Sequence, residues 1–192
     1  MKKVLSVEDV CLERDGFPIF KTVSFELFEG QLLHLKGKNG AGKTTLLKAI
    51  LGMYPLSGGN IQSQARISFI GHKLAVEPLL TVEENLKFMM ASYGETNDCQ
   101  PALAAMQLTP YRERLASQLS EGQKKRLGLA RFYAIQSDIW LLDEPFSSLD
   151  TTHQALFQVG IEQFLLQGGS VIITSHTELH SESLPIREYV VC

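Results

Sequence analysis

Eight consecutive residues, Gly37-Lys38-Asn39-Gly40-Ala41-Gly42-Lys43-Thr44, combine three glycines with two lysines and a hydroxyl. Glycines let successive backbone N–H groups turn inward toward phosphate oxygens, and a following helix adds its positive N-terminal end. Lys43 would set a point charge against the β- and γ-phosphates, Thr44 would ligate Mg²⁺, and Thr45 would reach the phosphates beside it. The competing reading is a glycine-rich turn with an incidental lysine. An apolar strand before the loop and a clean helix after it decide against that.

A second constellation follows the apolar run Ile139-Trp140-Leu141-Leu142, which ends in Asp143 and Glu144. Strands of α/β sheets place ligands at their C-terminal edge, where these two acids stand. Asp143 would hold Mg²⁺ through water, and Glu144 would orient and polarise an attacking water. Between the two constellations lies Leu119-Ser120-Glu121-Gly122-Gln123. Ser120 with Gln123 three residues on reads as a capping box at a helix start. The free N–H groups and dipole of such an end make an anion site. Because the glycine loop already serves its own phosphates, this second anion site points to a second nucleotide.

The elements that must position these residues alternate. The sequence predicts strands over 4–12, 23–28 and 31–36, with Asp15-Gly16 and Glu29-Gly30 as turns. A helix starts near Gly42, carries Leu46, Leu47, Ile50 and Leu51 on one face, and stops at Gly52. Ser57-Gly58-Gly59-Asn60 reads as a turn and 66–70 as a short strand. From Lys73 to Gln118 the pattern becomes helical, with Thr81-Val82-Glu83-Glu84 as a capping box and Pro101 in a first turn. Then come helix 121–135, strand 139–142, helix 151–167, strand 170–174 and strand 187–191. Such alternation means an α/β domain with a mostly parallel sheet covered by helices, here over 1–192 with a helical insertion at about 73–122.

Composition narrows the function classes. At 192 residues, 44% of them hydrophobic, the chain can bury a core without staples. A net charge of −3 argues against a nucleic-acid surface spread over the domain. Cys11, Cys99 and Cys192 stand far apart with no metal or disulfide spacing, as free thiols do. No stretch reaches the roughly 18 apolar residues of a membrane helix, and Glu8 and Asp9 interrupt any signal-like start. A cytoplasmic chain is expected, one that takes any membrane part from another polypeptide.

In order and spacing, the glycine loop, Leu119–Gln123 and Asp143-Glu144 together resemble the ABC ATPases. The resemblance implies a P-loop NTPase (RecA-like) core with an N-terminal antiparallel β subdomain, and ATP with Mg²⁺ as ligands. It also implies a homodimer in which Ser120, Gly122 and Gln123 close over the γ-phosphate held by the opposite subunit. The family's LSGGQ is altered here at Glu121, which is expected to point to solvent. Ser147-Ser148-Leu149-Asp150 stands at the dimer-interface D-loop, giving Asp150 a place near the nucleotide. His176 stands at the switch histidine, a donor to the γ-phosphate. The Q-loop position holds His72 instead of glutamine; its imidazole could serve Mg²⁺ or the water, the alternative being a polar turn residue. Arg14 falls at the adenine-stacking position, where a guanidinium can stack; Phe17 could take that place, and a plain hairpin role for Arg14 stays open.

Finer details, Cys11-Leu12-Glu13-Arg14-Asp15, Ile70-Gly71-His72, Leu129-Ala130-Arg131-Phe132-Tyr133 and Trp140, resemble the ATP-binding subunit of the haem exporter of cytochrome c maturation (the CcmA type). That resemblance implies an ATPase peripheral to the cytoplasmic side of the bacterial inner membrane. It would dock through about residues 72–90 on integral-membrane Ccm-type subunits and help free a haem-loaded periplasmic chaperone. No C-x-x-C-H occurs and the five histidines are scattered, so direct haem binding is not expected. The alternatives are an ABC ATPase for another substrate, a soluble ABC clamp, or an ATP sensor without turnover.

Overall fold

A computed structural model describes residues 2–71, 73–175 and 186–192. Five parallel strands form its central sheet, in the order β10 (Ile186–Val190), β5 (Leu32–Lys36), β9 (Ser170–Thr174), β8 (Ile139–Asp143) and β7 (Ile67–Ile70). The central strands β8 and β9 are covered on both faces, so they are largely apolar and alternate between two cores, while the edge strand β10 carries the exposed Arg187 and Glu188. On β8, Ile139 and Leu141 enter one core while Trp140 and Leu142 enter the other; on β9, Ile172 and the pair Val171 and Ile173 do the same.

One core also takes in α1 (Lys43–Ile50) and an antiparallel sheet. That sheet has the order β4 (Val23–Phe28), β1 (Lys3–Cys11), β6 (Gly58–Gln62). The segment read as a turn at 57–60 is therefore mostly strand. Gly59, at φ +81°, lies against the Asp9 backbone where no Cβ would fit, and the β1–β6 register shifts between Glu8 and Cys11. A bulged edge strand and a turn share the same glycine signal. A short hairpin, β2 (Glu13–Arg14) with β3 (Phe17–Pro18), projects from this layer across the two-residue turn Asp15-Gly16.

The other core gathers α2 (Val82–Ser92), α3 (Gln100–Ala105), α4 (Glu121–Ala134) and α5 (Thr151–Leu166). Both expected capping boxes form: Thr81 with Glu84 opens α2, and Ser120 with Gln123 opens α4. Between β7 and β8 the described chain is helical or irregular. The buried cation Arg131 of α4 ties that stretch down by donating to the carbonyl oxygens of Gly128, Phe69 and Leu74. None of the described helices is long and apolar enough to cross a membrane.

Candidate functional site

All five central strands run the same way, so β5, β8 and β9 deliver their C-terminal residues to one edge. There β5 passes into the glycine loop and α1, β8 into Asp143 and Glu144, and β9 into Ser175. Gly42 caps α1 at φ +88°, and a Cβ on it would come within 2.6 Å of Phe20 Cδ1 and 2.9 Å of Ile19 Cγ2. The turn into α1 thus needs glycine for both its backbone and its packing. Lys43 reaches back over the loop, with Nζ donating to the carbonyl oxygens of Gly37 (2.8 Å) and Lys38 (3.2 Å).

Asp143 is 2% exposed and anchored on two sides. Thr44 Oγ1 donates to its Oδ2 and Thr174 Oγ1 donates to its Oδ1, both at 2.8 Å. A hydroxyl and a carboxylate oxygen therefore converge at the mouth of the glycine loop. That donor set fits Mg²⁺, which takes one or two protein oxygens and completes its shell with phosphates and water. Among the described residues no three His, Cys, Asp or Glu side chains gather as a metal site. Glu144 follows at φ +52°, its N–H donating to Thr174 Oγ1 at 3.0 Å.

These groups line one cleft of about 580 Å³, bounded by Arg14, Ile19, Asn39, Gly40, Ala41, Gly42, Lys43, Thr44, Thr45, Asp143 and Glu144. Arg14 and Phe17 are cross-strand partners in the hairpin, so their side chains share one of its faces. Both are exposed, Phe17 to 75%, and only Arg14 reaches the cleft lining. A second cleft, of about 420 Å³, lies at the opposite edge of the sheet near Asp138, where Lys2 and Lys3 are already paired with Glu29 and Glu26.

The remaining expected residues stand apart from the phosphate cleft. Ser120 accepts from the Gln123 N–H at 3.2 Å, and Gln123 Oε1 accepts from the Ser120 N–H at 2.8 Å. Glu121 points to solvent and pairs with Lys124 at 2.8 Å. Gly122 sits beside the Ser148 carbonyl, which a Cβ would meet at 3.5 Å. The Asp150 carboxylate caps α5 by accepting from the His153 N–H at 2.9 Å. That bond, and the His153 ring beyond it, hold its pKa below the ordinary carboxylate value. His72 and His176 lie outside the described residues.

Sequence reasoning gave no role to three buried groups at this edge. Thr174 bonds both acids. Lys125 of α4 donates to the Glu144 carbonyl oxygen. His34 of β5, 2% exposed, has Nε2 at 3.2 Å from the Ser175 carbonyl oxygen, and burial pushes its pKa down. For His34 and Thr174 the available signal was weak, a polar residue inside or ending an otherwise apolar strand, and for Lys125 it was a lysine on an ordinary helix.

The chain matches the ABC transporter family over residues 20–147, a span that holds the glycine loop, Leu119–Gln123 and the acid pair. It is 44% identical over 176 residues to the "cytochrome c biogenesis ATP-binding export protein CcmA" of Roseobacter denitrificans, covering 91% of this chain and 85% of that one. The protein of the same description from Paracoccus denitrificans is 42% identical over 92% of this chain and 84% of its own length. Among solved structures, a Pyrococcus furiosus protein assigned as the ATP-binding protein of an ABC transporter superposes with a TM-score of 0.85 at 25% identity. That match covers 97% of this chain and 96% of the other.

Proposed function

The chain belongs to the ABC transporter family, and on that premise we propose that it is the ATP-hydrolysing subunit of a membrane complex of cytochrome c biogenesis. The chemistry rests on one observation: Thr44 and Thr174 converge on Asp143 beside the glycine loop, with Glu144 next to it. Backbone N–H groups of Gly40 to Thr45 cradle the phosphates, and Lys43 turns from the loop carbonyls to the β- and γ-oxygens. Thr44 and Asp143 would hold Mg²⁺, which supplies charge neutralisation at the developing transition state. Glu144 orients the attacking water and takes its proton as the γ-phosphate is transferred. His176 would donate to the γ-phosphate and His72 would couple the site to the partner surface. Adenine would lie against the Arg14 and Phe17 face of the hairpin, where a guanidinium and a ring both offer stacking.

Ser120, Gly122 and Gln123 form a capped helix end that does not line their own chain's cleft, which suits a γ-phosphate held by a second copy. Asp150 would join that interface. A homodimer docked on integral-membrane Ccm-type subunits follows, through about residues 72–90, where Leu79 is 78% and Phe88 67% exposed. The chain would then be peripheral to the cytoplasmic side of the bacterial inner membrane. Its relatives' identity favours cytochrome c biogenesis over another cargo, and haem export or haem-chaperone release is the task proposed within it. Haem would be handled by the partners.

Affinity purification of the chain from solubilised membranes tests the biological half of this reading. Cytochrome c maturation proteins should co-purify in defined ratio; an unrelated permease in their place would overturn it.

A further inference from the structure

Glu144 combines an acid proposed for catalysis with a backbone in the left-handed region, φ +52°, which side chains other than glycine disfavour. Such a conformation persists only where its surroundings hold it. Here both peptide groups are held. The N–H donates to Thr174 Oγ1, and the carbonyl oxygen accepts from Ser147 Oγ at 2.8 Å and from Lys125 Nζ at 3.0 Å.

Lys125 is the unexpected member of that set. It is 4% exposed, sits in the second turn of α4, and also approaches Ser147 Oγ at 3.4 Å. Burial pushes its pKa below the usual lysine value, while Asp143 and Glu144 pull it back up. A buried ammonium costs stability, and an apolar side chain of similar length would fill the same space at less cost. Its charge and reach are therefore explained by what it holds, and α4 is the helix that begins at Ser120.

We propose that Lys125 is a positioning residue for the hydrolytic carboxylate, fixing the Glu144 backbone and linking it to the Ser120 end of α4. When that helix end engages the nucleotide of a second copy, α4 carries Lys125 with it and sets Glu144 over the attacking water. Turnover is thereby tied to a closed pair, whereas nucleotide binding to the open cleft does not depend on Lys125. The inference rests on the role assigned above to Glu144.

The test compares Lys125→Met, Lys125→Gln and Lys125→Arg in the purified membrane complex by steady-state phosphate release. Lys125→Met should lower kcat roughly tenfold to a hundredfold, the scale of a misplaced catalytic group, with KM for ATP changed by less than about twofold. Its thermal midpoint should stay or rise. Lys125→Gln, which keeps a donor without the charge and serves if the methionine variant fails to fold, should also lose kcat. Lys125→Arg, which keeps both donor and charge, should recover most of the rate. Unchanged kcat in Lys125→Met or in Lys125→Gln, or a loss that arginine does not restore, overturns the proposal. Glu144→Gln measured alongside separates the two readings. If it retains turnover, the role of Glu144 is wrong. If it is inactive while Lys125→Met runs at full rate, only the Lys125 inference fails.

Discussion

Thr174 bonds both acids of the site, donating its hydroxyl proton to Asp143 Oδ1 and accepting the Glu144 N–H. Valine would keep its shape and remove both hydroxyl bonds; the Glu144 N–H keeps the Thr174 carbonyl oxygen, but the buried Asp143 carboxylate loses a donor, at a cost of about 1–3 kcal/mol. Thr174→Val should therefore lower kcat about tenfold or more and raise the Mg²⁺ concentration needed for half-maximal turnover, both read from phosphate release. A variant with normal Mg²⁺ dependence would show that Asp143 needs no second anchor. The contrast with Lys43, Thr44, Asp143 and Glu144 shows where a sequence is legible. The chemistry proposed for those four has a spacing along the chain set by one turn of loop and the end of one strand. Thr174 and Lys125 act across the gap between neighbouring elements, and a chain read in order does not say which strand or helix lies alongside.

At the scale of elements, periodicity and capping chemistry are local, so α2 and α4 begin where Thr81 and Ser120 require. β6 was illegible for the opposite reason: Gly58-Gly59-Asn60 becomes strand only because β1 is there to pair with it and lets its backbone come close. Trp140 shows a similar dependence. It marks an oddity in the sequence, and in the fold it stacks on Phe164 at 4.0 Å and packs near Phe132, Tyr133 and Phe157. These rings seal α4 and α5 against the face of β8 opposite α1. Tyr133 is partly buried there, and that burial pushes its phenol pKa up to about 12. It fills the space left by Gly160 of α5, where a Cβ would lie 2.7 Å from its Cζ. Gly160→Ala should lower unfolding stability by about 1–3 kcal/mol, the usual cost of overpacking, with KM for ATP unchanged. A denaturant titration reads the first; equal or greater stability would mean the ring has room to move.

For the whole molecule, parallel strands collect the phosphate loop, both acids and Ser175 at one sheet edge, while the capped end of α4 lies outside that cleft. On the proposed reading the cleft is one half of a nucleotide site and the capped end of α4 the other half, and pairing two copies head to tail would complete two sites at once. The alternation of strands and helices made the sheet readable from sequence, but the separation of the capped end of α4 from the phosphate-loop cleft required the folded arrangement. On the proposed reading, this molecule turns over MgATP through Glu144 in such a pair. Phosphate release by the membrane complex carrying Glu144→Gln, measured beside the unaltered protein, tests it most directly. Removing the acid while keeping its shape should lower the rate by about a hundredfold or more, on the scale of losing one transition-state group. Release at the unaltered protein's rate would contradict the account.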